Sequence, residues 1–466
     1  MIGPLSTREV ASFFERTIDA GHDSLHEQGF EALADRWRAL GLRPGDLVLL
    51  SLPTGVALLQ HFFGVIAAGG VPALLAPGMP SQRLREMASV MGACAVGAVR
   101  LPAGLEPERV EHVGLIEVAW YKPPAEPAAA PGEVVLLTSG TSGLASGCVT
   151  SLEAMLRNGA RHADAIGQRP EDTVLISLPL YFSFAMVAQA LGTLGRGGRL
   201  VVAGPPFQQE AYTRVINAQG VNVSALSPTQ VRTLLQHDFA FPAGLRVLSV
   251  GGDSLAAEHV AELLKRRPDG ELYLTYGLTQ AGPRVSTLAA HAEPPSRYTS
   301  VGLPLAGTKV WLEDIGDGSG RTELIVSSDT VMRRRIGLVE GRAHDDLRAP
   351  GVLASGDVFE QDEEGYLFYR GRLSEYILRG GEKVCVATVR RLATRIPGVV
   401  TARTRLKKGE DGEDYDLALV LSGVITGDRR DPDHYRALLA KSVRRAELPH
   451  TIQIIAEHEA HSLGYK

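Results

Sequence analysis

The chain has 466 residues, 44% of them hydrophobic and 22% charged, with a net charge of −5. That is enough for more than one domain with an ample core; the slightly acidic balance without a basic stripe argues against nucleic acid, and no apolar run of about 20 residues could span a bilayer. Three cysteines, Cys94, Cys148 and Cys385, form neither a disulfide framework nor a zinc set, and no signal peptide opens the chain, so a cytoplasmic protein is expected.

Ser6-Thr7-Arg8-Glu9 has the spacing of a helix capping box. Phe30 to Leu40 is a helical pattern that ends at Gly41, and Pro44-Gly45-Asp46 turns into an apolar strand, Leu47 to Leu50. An apolar helix follows over about Val56 to Ala68, closed by Gly69-Gly70, then a strand from Val71 to Leu75. The alternation predicts a parallel sheet with covering helices. Lys122 to Gly132, "KPPAEPAAAPG", is a Pro/Ala-rich connector. It delivers the chain into a strand, Val134 to Leu137, and then into "TSGTSGLASGCVTS", Thr138 to Ser151. Strand signals continue in "TVLISLPL", "RLVVAG", "LRVLSVGG" and "ELYLTYG". Arg333-Arg334-Arg335 reads as a solvated surface run. From about Lys309 short strands and turns take over. After about Arg372 a small α+β unit is predicted: a strand near Lys383, a helix from about Ala387, the strand "DLALVLSG" and a helix from Asp433 to Ala446.

In the loop after Leu137, Gly140 and Gly143 permit tight turning that exposes consecutive N–H groups. Thr138, Ser139, Thr141 and Ser142 add hydroxyls. Such a nest binds phosphate oxygens without a lysine, although a polar surface turn has the same composition. Other motifs accompany it in order: "GLRPGDLVLLSLPTGVALLQHFFGVIAAGGVPALLAPG", "LYLTYGLTQAG", "SVGLPLAG", "SGDVFEQDEEGYLFYRGR" and "RGGEKVCVATVRRLA". Together they resemble the motif series of the adenylate-forming superfamily of acyl-CoA synthetases, peptide-synthetase adenylation domains and luciferases.

The resemblance spans nearly the whole chain. It implies an α/β adenylate-forming fold: a large N-terminal domain, residues 1–372, of parallel sheets and helices, with a small β-barrel portion at about 300–370. A small mobile α+β C-terminal domain, residues 373–466, would follow. The resemblance also implies roles. Residues 138–143 would bind nucleotide or CoA phosphates. Gly251, Gly252, Asp253, Tyr276 and Gly277 would frame the adenine and the carboxylate carbon, with Thr279 in the same motif. Asp357 and Arg372 would hold the ribose, whose diol both donates and accepts. Tyr181, Phe182, Phe184 and Ala185 would line an acyl pocket. Phe182 stands where the family usually has a histidine, and aromatic walls suit a flat aryl acid. The same rings could equally be core. Gly381 would border a tunnel for a pantetheine thiol.

Several charges of the pattern are missing. The family's Pro-Lys-Gly is Ala145-Ser146-Gly147 here. Its Mg²⁺-holding glutamate is Gln280, and its hinge Asp or Lys is Ser374. The closing lysine that bridges carboxylate and α-phosphate falls on Tyr465, with Lys466 one residue late. These losses favour an acyltransferase. It would move an aromatic acyl group, of anthraniloyl or benzoyl type, from a CoA thioester to the phosphopantetheine thiol of an acyl carrier protein, without ATP-dependent adenylation. The partners are then an aroyl-CoA and a carrier protein; AMP or ATP could still bind, and Mg²⁺ would find an amide oxygen in place of a carboxylate. A covalent route would use Cys385 as nucleophile, whereas most free cysteines are inert. "RTRLKKG", Arg403 to Gly409, offers cations for an acidic carrier. The alternatives are an ATP-dependent aryl-acid ligase and a non-catalytic binding protein. His458 and His461 lack the spacing of a helical metal pair.

Overall fold

The computed structural model describes residues 4–21, 29–138, 146–236, 239–316, 318, 320–337, 346–379, 382–409, 412–422, 430–443 and 445–457. Two eight-stranded sheets carry most of the chain. The first runs Arg334–Ile336, Ser146–Ser151, Glu133–Thr138, Val71–Leu74, Leu47–Ser51, Ala93–Ala98, Ile116–Trp120 and Arg109–Val113. Its centre is parallel, with Leu47–Ser51 between Val71–Leu74 and Ala93–Ala98. Its flanks are antiparallel hairpin-like pairs. The second runs Thr17–Asp19, Arg199–Val202, Thr173–Ile176, Val223–Leu226, Val247–Gly251, Glu271–Tyr276, Ser286–Ala289 and Leu303–Pro304. It is parallel up to Glu271–Tyr276 and antiparallel beyond.

The central strands are buried on both faces, which is why they read as unbroken apolar runs rather than as alternation. The helices Phe30–Ala39, Val56–Ala67 and Leu152–Ala165 and the π-helical turn Phe184–Leu191 pack with them. Trp37, Phe62, Phe63, Met155 and Val187 share one apolar cluster with Leu50 of the first sheet and Ile176 of the second. Val56–Ala67 is buried nearly all round, so it carries no polar face. The expected capping box is present: Ser6 Oγ accepts from Glu9 N, and Ser6 N donates to the Glu9 carboxylate at 2.7 Å.

The segment expected to form the barrel portion is a five-stranded antiparallel sheet. Its strands are Thr308–Asp314, Thr322–Ser328, Leu347–Ala349, Val352–Gln361 and Leu367–Arg372. A fourth sheet contains Tyr376–Arg379, Glu382–Cys385, Val399–Gly409, Gly412–Leu421 and Ile452–Ala456. It has its own apolar cluster, including Ile377, Val389, Tyr415, Leu419 and Leu439. Among the described residues, no apolar cluster draws on both sides of Arg372.

Two expectations need correction. The helix placed at Asp433 to Ala446 is only Pro432–Leu439. Asp431 caps it and Pro432 opens it; the chain then turns, and Val443 still packs on the same core. The Arg333–Arg335 run is not simply solvated. Arg333 and Arg334 both reach Glu133, and the half-buried Arg335 pairs with Asp346.

Candidate active site

Val247–Gly251 and Glu271–Tyr276 are parallel neighbours, with Gly251 opposite Thr275. Their carboxyl ends therefore bring Gly251-Gly252-Asp253 beside Tyr276-Gly277, the edge at which open α/β sheets bind ligands. Two of these positions demand glycine. Gly252 has φ +96°, and a Cβ on Gly277 would lie 1.8 Å from the Pro283 carbonyl oxygen. Asp253 is exposed and caps Ser254 N at 2.7 Å.

The antiparallel sheet supplies the facing group. Asp357 stands opposite Arg372 in the register of Val352–Gln361 and Leu367–Arg372. Its carboxylate is only 2% exposed. Tyr276 OH donates to Oδ2 at 2.6 Å, and Arg372 Nε lies 3.2 Å from Oδ1. That approach makes an ion pair, but Oδ1 has no hydrogen bond of good geometry and keeps acceptor capacity. Burial pushes the Asp357 carboxyl up to about 6, against the opposing pull of Arg372 and of the Tyr276 hydroxyl. Phe359 and Tyr369 enclose the Tyr276 ring, at 4.8 and 6.3 Å between centroids. The structure thus brings together Tyr276, Asp357 and Arg372, which lie far apart in sequence.

Next to Gly277 the chain makes a short 3-10 turn, Thr279–Ala281. Ser183 Oγ and Thr279 Oγ1 are 3.0 Å apart, and Met332 N donates to the Gln280 carbonyl at 2.8 Å. Asn158 bonds Arg284 in both directions: its amide donates to Arg284 O at 2.9 Å and accepts from Arg284 N at 2.8 Å. This pins the helix Leu152–Ala165 to the segment after Gly277. The aromatic residues divide. Phe184 and Ala185 are buried, and Phe184 opens the π-helical turn, a feature frequent at functional sites. Phe182, expected in the acyl pocket, is 53% exposed and rests on Tyr181, itself half-buried, at 4.7 Å. Sequence reasoning missed Arg284, whose guanidinium lies 4.2 Å from the Phe184 ring centre. The one signal was a lone cation in "AGPRVSTLAA".

Residues 139–143 and Gly381, Tyr465, Lys466, His458 and His461 lie outside the described residues. Thr138 ends its strand directly opposite Ser146. Ser146 Oγ accepts from Arg335 Nη1 at 2.8 Å, so a guanidinium does stand beside the position where the pattern has lost its lysine. Its charge is already matched by Asp346. In the fourth sheet, Lys407 is committed to Asp416 at 2.9 Å, whereas Arg403 and Arg405 line a groove of about 210 Å³ with Thr451 and Gln453. Among the described residues, no group of three His, Cys, Asp or Glu could hold a metal ion, and no helix is long and apolar enough to cross a membrane.

Cys385 ends the strand Glu382–Cys385, half-buried, with Sγ 3.8 Å from the Arg370 carbonyl. Cys94 and Cys148 are buried, and burial pushes each thiol up to about 12. Iodoacetamide on the native protein should therefore modify Cys385 first. Peptide mass mapping that finds Cys94 or Cys148 alkylated ahead of it would contradict this.

The AMP-binding enzyme family matches residues 26–334 of the chain. A salicylyl-CoA synthase / salicylate adenylyltransferase from Streptomyces sp is 26% identical over 480 aligned positions, covering 92% of this chain and 84% of that protein. A salicyl-AMP ligase / salicyl-S-ArCP synthetase from Mycobacterium tuberculosis is 24% identical over 448 positions, covering 86% and 77%. Among solved structures, o-succinylbenzoate CoA synthetase from Bacillus subtilis with its acyl-adenylate intermediate superimposes with a TM-score of 0.77. It covers 96% of this chain and 93% of that one, and at 19% identity the likeness is one of fold.

Proposed function

The chain belongs to the AMP-binding enzyme family, and from that premise we propose that it is an ATP-dependent aryl-acid ligase. In the first step a carboxylate oxygen of the acid attacks the α-phosphorus of ATP. Pyrophosphate leaves, and an acyl-adenylate remains. In the second step a pantetheine thiol, of CoA or of a carrier protein, attacks the acyl carbonyl and AMP leaves. Mg²⁺ would enter as part of the MgATP substrate, held chiefly by the nucleotide's phosphates, since the nearby donors Thr279 and Gln280 are uncharged.

The observation that carries this reading is the buried Asp357 carboxylate. One oxygen is oriented by Tyr276 and the other is left able to accept. With Arg372 beside it, the pair suits the two ribose hydroxyls. Gly252, with open space where a Cβ would stand, then leaves backbone bare for the base. The loop after Thr138 would take the phosphates. The two salicylate-activating relatives support an aromatic acid, and Phe184 and Ala185 supply an apolar wall for it. Residues 373–466 would be the mobile unit that serves the two steps in turn; their separate core and the end of the third sheet at Arg372 support that division.

One observation favours the acyl-CoA to carrier-protein transferase as a second reading. Ser146 and Gln280 carry no charge, and Arg335 is balanced by Asp346. Exchange of labelled pyrophosphate into ATP, driven by benzoate-type acids, decides between them. Acid-dependent exchange is expected. No exchange, together with ATP-independent transfer from an aroyl-CoA to a carrier protein, would replace the ligase with the transferase. Silence in both assays would leave a binding protein.

A further inference from the structure

Resting on the reading of this site as one for an aromatic acid, we propose that Arg284 sets the substrate class: it receives an electron-rich oxygen substituent carried next to the carboxyl group being activated. The expected substrates are hydroxy- or carboxy-substituted aromatic acids, and amine-bearing acids are disfavoured.

Arg284 is 3% exposed, yet among the described residues no carboxylate pairs with it. Burial lowers its guanidinium to about 10, which leaves it charged at neutral pH. Its hydrogen bonding is incomplete. Nη1 donates to Thr275 Oγ1 at 2.8 Å, and Nε is buried with no partner. The Phe184 ring covers one face. The guanidinium edge packs closely against Gly251 and Gly277 at the carboxyl ends of two strands. Cβ atoms placed on Gly251 and Gly277 would lie 3.1 Å from Nη1 and 3.0 Å from Nη2. Gly277 is also where the acid's carboxylate carbon is expected.

Among the described residues, the immediate surroundings offer no competing charge. His162 is buried edge-on to Phe184 at 6.2 Å, and its Nδ1 has no partner. Burial, reinforced by the Arg284 charge, lowers it to about 3, so it stays neutral. Tyr276, the other titratable neighbour, is pushed well above its ordinary value and stays protonated. A buried cation without a counter-charge is costly, and a ligand that brings the charge removes that cost. A guanidinium fork has five donors and no acceptor, so it matches a phenol oxygen or a carboxylate and mismatches an aniline nitrogen. Sites that hold an unpaired polar group in this way discriminate strongly between substrates with and without the partner.

The test is calorimetric binding of benzoate, anthranilate, salicylate and phthalate to the full chain, with α,β-methylene-ATP present. Salicylate or phthalate should bind at least about tenfold more tightly than benzoate and anthranilate. Arg284→Met should reduce that ratio to within about threefold. Arg284→Lys, which keeps the charge but not the fork, should fall between. Equal binding of the four acids by the native chain, or tightest binding of anthranilate, overturns the proposal. So does an unchanged ratio in either variant. If Arg284→Met does not fold, the native ranking and Arg284→Lys decide the matter. Failure of all four acids to bind overturns the aromatic-acid reading along with this one, whereas binding without preference overturns the role of Arg284 alone.

Discussion

Asp357→Asn should make the protein more stable at pH 7 and weaken nucleotide binding about a hundredfold. The two effects share one cause. In the native protein the buried carboxyl titrates at about 6, against an ordinary 3.8. Well below pH 3.8 both native and unfolded chains hold the proton and nothing is lost. As pH rises from 4 to 6 the unfolded chain ionises first, and native stability falls. Above about 6 the loss levels off at about 3 kcal/mol, at about 1.4 kcal/mol per tenfold. Asparagine is isosteric, still accepts from Tyr276 OH, and carries no charge to desolvate. Urea midpoints of the two proteins should therefore converge near pH 4 and separate by pH 8. The functional loss follows because a charged acceptor binds hydroxyls more strongly than an amide oxygen, by about 1.5–3 kcal/mol. Native nucleotide affinity should likewise weaken as pH falls below about 6. Equal stability at pH 8, or unaltered ATP affinity by calorimetry, would contradict the assignment.

Gly277→Ala should cost about 3–5 kcal/mol of stability and abolish adenylation. The new Cβ would sit 1.8 Å from the Pro283 carbonyl oxygen and 2.8 Å from its carbon. Both are backbone atoms, so no side-chain rotation relieves the clash. The strand end must move, and Tyr276 moves with it, away from Asp357. Gly195→Ala is the control. That glycine is exposed in the helix Gly192–Arg196, with nothing within 4 Å of a Cβ. It should gain up to about 1 kcal/mol from helix propensity. Thermal melts of the two variants that matched each other would refute the close-approach argument.

The strands that carry the site were legible because burial on both faces leaves Leu47–Ser51, Val247–Gly251 and Glu271–Tyr276 mostly apolar. Asp357 and Arg372 were nameable only through motif resemblance, because nothing local says that a strand register will set them opposite each other and Tyr276 against both. Arg284 could not be found that way. What makes it notable is the absence of a partner, which only three-dimensional packing reveals. The same holds for Arg335, whose bond to Ser146 joins positions far apart in sequence. The strand Ser146–Ser151 was legible only around Cys148, because the Gly/Ser-rich stretch before it reads as a loop. Phe182, an aromatic in the expected slot, is about half exposed, which composition alone does not reveal.

A division of the chain at Arg372 would have a thermodynamic consequence. The contacts between the two sides include Arg232 Nε on the Val400 carbonyl at 2.6 Å, Gln236 Nε2 on the Val399 carbonyl at 3.3 Å, Cys385 Sγ on the Arg370 carbonyl, Thr233 on Glu457 and Arg395 on Glu258. Each of these contacts can be exchanged for a water molecule. Heat-capacity change tracks apolar area, and among the described residues no apolar cluster bridges this seam. Parting the two sides would then carry a small heat-capacity change, so its enthalpy would stay nearly constant and the balance between joined and parted forms would follow a straight van't Hoff line. Dissolved salt, which screens Arg395 from Glu258, tilts it readily. Such a joint would answer to the ionic medium as well as to temperature.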